Sequence, residues 1–318
     1  MALVLPANKN LTVVFFSDRW MLYGLHAALA SLLAHAKRVR LDVIVFSDGL
    51  TKREKKLLEK TAAKFQGGHS FEIRDLNLQW PEGTPTLQGN LTALARVCLP
   101  SLLPDHDQVL YLDSDLIVQR DVGGLLETGD ESPIKVVCEP SLLEGDEDFE
   151  VIRANIANPE NASRMFNSGV FLASLAQWRG LDVQQRCVDL FARLSGKIRY
   201  ADQTVLNIVF YWQWHELDSS WQTLLRPDQS KVPGAEARST IWHFLSAPKP
   251  WYPLERFGSE NAGIWRAWHK KTALARSPLS WVINYLTPRR MYITFIGTTL
   301  RKIAARVRKI GREKPCQP

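Results

Sequence analysis

Cysteine is scarce in this 318-residue chain: Cys98, Cys138, Cys187 and Cys316 are all there are, with no paired spacing. That excludes a disulfide framework or a cysteine-rich zinc site as organising devices and makes a reducing compartment the simpler expectation. No run of 18 consecutive apolar residues occurs, which argues against a spanning helix. The opening MALVLPANKNLTVVFF lacks a basic region followed by an apolar core and a cleavage site, so no secretory leader is expected. The sequons at Asn10, Asn90 and Asn161 then read as chance. No GxGxxG follows the first predicted strand, and GxxxxGK[ST] is absent throughout, against dinucleotide oxidoreductases and P-loop kinases. There is no internal repeat and no low-complexity segment.

What is present is ordinary for a globular protein: 45% apolar and 23% charged residues. The length fits one large α/β domain or two smaller ones. Eleven tryptophans suggest aromatic walls to a pocket or an interface. The net charge of +7 is unevenly placed, because residues 289–318 hold nine Lys or Arg against one Glu. The remainder carries 31 basic against 32 acidic residues, a balance of −1. A nearly neutral body with a basic tail is a poor match to a nucleic-acid enzyme, which spreads basic residues over its body to track phosphates.

Strands are predicted at 11–17, 40–49, 69–76, 108–112 and 133–138, and helices at 20–36, 51–65, 91–103, 181–195 and 202–213. Thr51 is the expected N-cap of the second helix. The alternation argues an α/β fold with a parallel, doubly wound sheet, and ligands gather beyond the C-terminal strand ends of such a sheet. Asp18, Asp48 and the pair Asp113/Asp115 all fall at such ends.

The pair sits in DQVLYLDSDLIVQRDV, residues 107–122. An isolated D-x-D is most often a cap or turn. At the end of a buried strand, however, residues i and i+2 point the same way, so both carboxylates can converge on one divalent cation. Hard cations such as Mn2+ or Mg2+ take oxygen ligands and share them with substrate phosphates, which suits a nucleotide-diphosphate leaving group.

VLYLDSDLIV resembles the metal-binding segment of glycosyltransferase family 8, which includes bacterial lipopolysaccharide galactosyl- and glucosyltransferases and the glycogenins. Five further segments resemble the family's in the same order: VVFFSDRW (13–20), LTALARVCLPSLL (91–103), FNSGVFLASLAQW (166–178), YADQTVLN (200–207) and HFLSAPKPW (243–251). The resemblance implies a GT-A type fold, a Rossmann-like, mainly parallel central sheet flanked by helices. It implies a retaining, metal-dependent transfer of hexose, galactose or glucose, from a UDP-sugar to a saccharide or lipid-linked glycan acceptor in lipopolysaccharide or other surface-glycan synthesis.

By the same resemblance Asp113, Asp115 and His243 are the ligands of Mn2+ (or Mg2+). Asp18 accepts the uracil N3–H, although Arg19 and Trp20 depart from the family's usual Asp and Asn or Thr; Trp20 offers stacking instead. Arg96, Ser114, Asn167, Ser168, Gly169, Asp202 and Gln203 belong to the donor site, and Lys249 follows the diphosphate as a point charge. Ser246 stands where glycine is usual, beside a diphosphate contact. Gln203 and Asp202 are the catalytic candidates. An amide is a poor nucleophile, so front-face attack is favoured, with the leaving phosphate oxygen taking the acceptor proton.

Residues 1–270 are expected to form the catalytic domain and 271–318 a C-terminal basic amphipathic helical tail. In the tail Tyr292, Phe295, Ile296, Leu300, Ile303, Val307 and Ile310 make an apolar stripe, with the basic residues largely elsewhere. Such a segment suits an anionic membrane surface, against the alternative of a helix packed on the body. A cytoplasmic protein on the inner face of the membrane is the expectation. Rival readings are a catalytically silent sugar-nucleotide or glycan binder, a glycogenin-like self-glucosylating enzyme and, weakest, a nucleic-acid binder.

Overall fold

A computed structural model describes residues 10–275, apart from 66, 82–83, 85, 87–90, 129–130, 139–145, 227–239 and 253–259. The basic tail expected to lie on a membrane falls, from residue 276 onward, outside the described residues. The chain begins as the pattern predicts: β1 (Asn10–Asp18), α1 (Leu22–His35), β2 (Arg40–Asp48), α2 (Lys52–Ala63) and β3 (Ser70–Asp75). In β1, Val14 and Phe16 face one core and Val13 and Phe15 the other, as a strand buried on both faces requires. Helix α1 is apolar nearly all round because it is covered on more than one side; residues 22–33 are buried except Tyr23. Helix α2 has the expected cap: Glu54 N–H donates to Thr51 Oγ1 (3.3 Å), and Thr51 N–H donates to Glu54 Oε2 (2.7 Å).

The predicted helix over 91–103 is instead a 3₁₀ helix (Thr92–Cys98) followed by one α turn, α3 (Leu99–Leu102). Pro100 lacks the N–H that would bond to Arg96, and its ring would meet that carbonyl, so an α-helix cannot run through. There follow β4 (Gln108–Leu112), β5 (Leu116–Val118), β6 (Ile134–Cys138), α4 (Glu147–Arg153), β7 (Phe166–Ser174), α5 (Leu175–Gly180), α6 (Val183–Leu194), α7 (Asp202–Phe210), β8 (Trp214–Glu216), β9 (Gln222–Leu225), β10 (Ile241–Phe244) and α8 (Glu260–His269).

The central sheet has the order β3-β2-β1-β4-β7-β6-β8 and is mostly parallel. The exception is β7, antiparallel to both β4 and β6. That reversal matters: it places the first residues of β7 beside the last residue of β4, with Val170 opposite Leu112. A second sheet, β5-β10-β9, runs its middle strand antiparallel to β5 and parallel to β9.

Among the described residues the tryptophans serve mainly to build this body. Trp178, Trp251 and Trp265 are fully buried, and Trp214, Trp221, Trp242 and Trp268 nearly so. Trp242, Trp251, Trp265 and Trp268 join Ile117 and Phe244 under Ala27 and Ala30 of α1, fixing the small sheet to that helix. Full burial of one large apolar side chain is worth about 1.5–3 kcal/mol, and aromatics are the largest such groups.

Candidate active site

Three pieces of chain meet beyond the C-terminal end of β4. The turn Asp113-Ser114-Asp115 links β4 to β5, so the two carboxylates lie in a turn and not on an extended strand. Strand β10 lies against β5, with His243 opposite Leu116 and Phe244 N–H donating to Asp115 O (3.1 Å). The start of β7 closes the third side, where Asp113 N–H donates to Gly169 O (2.8 Å). Asp113, Asp115 and His243 thereby present one ligand atom each within 4.8 Å of one another. His243 Nε2 lies 3.3 Å from Asp115 Oδ1 and 3.6 Å from Asp113 Oδ2. Asp115 Oδ1 is buried and takes no well-aligned hydrogen bond, its contact with His243 Nε2 being the long one of 3.3 Å. A buried carboxylate oxygen so weakly met is costly unless a cation meets it. Two carboxylates with one imidazole form a donor set that fits Mn2+ or Mg2+.

Gly169 is required here. A Cβ at that position would lie 2.3 Å from His243 Cε1 and 2.7 Å from Asp113 Oδ2. The backbone of β7 can approach the carboxylates only because residue 169 has no side chain.

Both aspartates already hold partners. Lys249 Nζ donates to Asp115 Oδ2 (2.6 Å) and to Phe244 O (2.5 Å). Burial works to raise the Asp115 carboxyl, but Lys249 and then His243 outweigh it and hold the group well below the usual carboxylate range. Asp113 Oδ1 accepts from Arg96 Nη2 (2.8 Å) and from the Tyr111 hydroxyl (2.5 Å). Burial keeps the Tyr111 phenol protonated and therefore a donor. The Arg96 guanidinium lies over the Tyr111 ring, 4.5 Å from its centroid.

Arg96 is buried and ties the site together. It donates to Ser168 O (2.7 Å) and Ser168 Oγ (3.0 Å), and its Nε lies 3.1 Å from Asp202 Oδ2. Burial opposes its charge, yet Asp113 and Asp202 prevail and keep it charged. Asp202 opens α7 but does not cap it; the N-cap position is Ala201. Its Oδ2 accepts from Ser168 Oγ (3.1 Å), while Oδ1 is buried without a hydrogen bond. Burial pushes the Asp202 carboxyl up to about 6, against the pull of Arg96. Gln203 Oε1 accepts from Asn167 Nδ2 (3.1 Å) and Ser168 N–H (3.3 Å).

The remaining expected residues sit differently. The Ser114 hydroxyl donates to Phe16 O (2.8 Å), anchoring the turn to β1. Asp18 ends β1, and its Oδ1 accepts from Trp20 N–H (2.9 Å) and Met21 N–H (3.0 Å), forming the turn into α1. Ser246 has φ 59°, the left-handed region where glycine costs nothing and serine is strained.

Sequence reasoning missed three contributors. Tyr111 belongs to the apolar run of β4, and only the fold shows its hydroxyl reaching Asp113. Asp148, in the acidic stretch 144–150, is buried and accepts from Arg199 N–H (2.8 Å) and Tyr200 N–H (2.8 Å), seating the turn before Asp202. Gln222, at the start of β9, joins Asn167 to His243. No local signal marks it.

Residues 11–254 match the family model described as glycosyl transferase family 8. General stress protein A of Bacillus subtilis is 26% identical over 244 residues, covering 72% of this chain and 82% of that protein. The lipopolysaccharide 1,2-glucosyltransferase of Escherichia coli K12 is 22% identical over 285 residues, covering 85% of this chain and 79% of that protein. Among solved structures, the galactosyltransferase LgtC in complex with donor and acceptor sugar analogs superimposes with a TM-score of 0.67 at 21% identity. That match covers 86% of this chain and 100% of LgtC, and it shows a shared GT-A fold.

Proposed function

The chain belongs to glycosyl transferase family 8, and on that premise we propose that this glycosyltransferase moves a hexose from a UDP-sugar to a saccharide acceptor with retention of configuration. The observation that carries the reading is the convergence of two carboxylates and one imidazole, in which the buried Oδ1 of Asp115 takes no well-aligned hydrogen bond. Asp113, Asp115 and His243 would hold Mn2+ or Mg2+, which when bound supplies Lewis-acid stabilisation of the departing diphosphate.

This chain's own residues do the rest. Lys249 supplies a point charge for the diphosphate from beside Asp115. Arg96 and Asp202 orient the donor-side backbone at Ser168, and Asn167, Gly169 and Ser246 bring polar backbone or side-chain groups to the sugar and phosphates. The carbonyl of Gln203 is the atom a covalent route would use, and it already accepts two hydrogen bonds. Those bonds draw down its weak nucleophilicity, so Gln203 orients and does not attack. The acceptor hydroxyl then attacks C1 from the face the diphosphate leaves: a new C1–O bond forms as the old one breaks, and the leaving phosphate oxygen takes the proton.

Galactose and glucose are both candidate donors, and lipopolysaccharide or another lipid-linked glycan is the proposed acceptor class. No helix among the described residues is long and apolar enough to cross a membrane. The domain division at residue 270 and the docking of the basic tail on an anionic surface are part of the same proposal. A chain cut after Pro288 should keep turnover on a soluble acceptor and lose liposome binding; equal binding by both chains removes the tail from the account. Release of UDP from UDP-galactose and UDP-glucose, with and without Mn2+, tests the function itself. Binding of both donors without release in any condition would instead indicate a silent sugar-nucleotide binder.

A further inference from the structure

A chain of buried amides runs from the backbone of β7 to the imidazole of His243. It starts at a donor whose direction is fixed: Gly169 N–H donates to Asn167 Oδ1 (3.0 Å). A backbone N–H cannot reverse, so that atom of Asn167 must be the oxygen. The same oxygen accepts from Gln222 Nε2 (2.9 Å). Gln222 Nε2 therefore carries hydrogens, and it also lies 2.9 Å from His243 Nδ1. In this arrangement Nδ1 accepts, and the neutral ring keeps its proton on Nε2, the nitrogen that faces the carboxylates of Asp113 and Asp115.

A cation held between those carboxylates needs the Nε2 lone pair. The ring proton must then sit on Nδ1, where it needs an acceptor. Gln222 can supply one by turning Oε1 to Nδ1 and giving up its bond to Asn167, since an oxygen left in the place of Nε2 would face Asn167 Oδ1 at 2.9 Å. Gln222 and His243 are well placed for this. In the parallel pair β9–β10, Gln222 lies opposite Ile241 and Leu224 opposite His243, so the two side chains share a face of the small sheet. Gln222 is buried, and the neighbouring Asn167 is buried with it. Neither ring state changes the charge of the imidazole.

We infer that Gln222 is a positioning residue for the His243 imidazole, its amide choosing which ring nitrogen is bare and so how well His243 can bind a divalent cation. The inference rests on the metal-site reading above.

The test is a calorimetric titration of Mn2+ into the full chain without nucleotide, for the wild type, Gln222→Met, Gln222→Glu and Asp115→Asn. Methionine keeps the volume and removes both donor and acceptor; glutamate keeps an acceptor. Loss of such a ligand-orienting partner lowers metal affinity by about 10–100-fold, so Gln222→Met should weaken Mn2+ by about tenfold or more. Gln222→Glu should bind within about threefold of the wild type or tighter, since its carboxylate always accepts from Nδ1–H. Ring ¹⁵N spectra should place the His243 proton on Nε2 in the metal-free wild type and on Nδ1 with Mg2+ bound, and Gln222→Met should mix the two metal-free forms. Unchanged Mn2+ affinity in Gln222→Met, or an equal loss in Gln222→Glu, overturns the inference while a collapse in Asp115→Asn leaves the metal site standing. Unchanged affinity in Asp115→Asn overturns the metal reading and this inference together.

Discussion

Lys249 Nζ and Asp115 Oδ2 are 2.6 Å apart, so the carboxylate best placed to meet a divalent cation is already neutralised by a lysine of its own chain. Arg96 does the same for Asp113 at 2.8 Å. The cluster of negative charge is thus held folded by two cations from different parts of the sequence. Each carboxylate has one oxygen so engaged, and Asp113 Oδ2 and Asp115 Oδ1 are the atoms turned toward His243.

Replacing Lys249 with methionine strips the buried Asp115 of that counter-charge. Removing one partner of a buried pair costs about 3–5 kcal/mol, and the metal-free protein should lose stability on that scale. Added Mn2+ should raise the Tm of the variant more than that of the wild type, because it restores the missing positive charge. Thermal denaturation with and without Mn2+ decides this; equal metal-induced shifts would contradict it.

Each aspartate should matter to both turnover and stability. Asp115→Asn should lower turnover on the order of 100-fold or more, equivalent to about 2.7 kcal/mol of barrier, and should cost stability because it leaves Lys249 without its counter-charge. Asp113→Asn should lose turnover similarly and also stability, because it removes charge from the Arg96–Asp113–Tyr111 group. Circular dichroism melts and UDP release, run on both variants, check both losses. Near-wild-type rates with Mn2+ in either variant would remove it as a ligand.

Gly169→Ala places a methyl 2.3 Å from His243 Cε1 and 2.7 Å from Asp113 Oδ2. Overpacking of this kind costs about 1–3 kcal/mol, and here the groups displaced are the ligands themselves. Mn2+ affinity and turnover should both fall while secondary structure persists. Unaltered metal binding would show that the turn yields without effect.

Acid should weaken the fold through His26, on α1. Its Nδ1 lies 2.7 Å from Thr61 Oγ1, and its buried Nε2 has no hydrogen-bond partner. Burial, and next the charge of His269, lower its pKa to about 3 from 6.5. Between those values the unfolded chain binds a proton that the folded chain refuses, so stability drops as pH falls through that window. The slope is at most about 1.4 kcal/mol per pH unit. Urea denaturation at pH 7.5 and pH 5 should differ by about 2 kcal/mol more in the wild type than in His26→Gln. Equal differences would place the acid sensitivity elsewhere.

Part of this molecule is written locally. The alternating faces of Val13, Val14, Phe15 and Phe16, the Thr51–Glu54 capping box, and an Asp-x-Asp at the end of an apolar run depend on residues a few positions apart. Such features follow from backbone geometry and propensity, so the sequence is enough to read them, and the order of its segments is enough to name the family. Pro100 was equally visible, and its interruption of the 91–103 helix could have been read from its missing N–H. Other features depend on partners tens of residues away. Only the tertiary structure decided that β7 runs antiparallel, which brings Asn167, Ser168 and Gly169 to the end of β4. Only it decided that Arg96 pairs with Asp113 and Asp202, that Lys249 holds Asp115, and that Gln222 reaches His243. Strand direction and the pairing of buried charges are settled by the free energy of the whole packed body, where each group must find a partner or remain unsatisfied, and no window of sequence contains that choice.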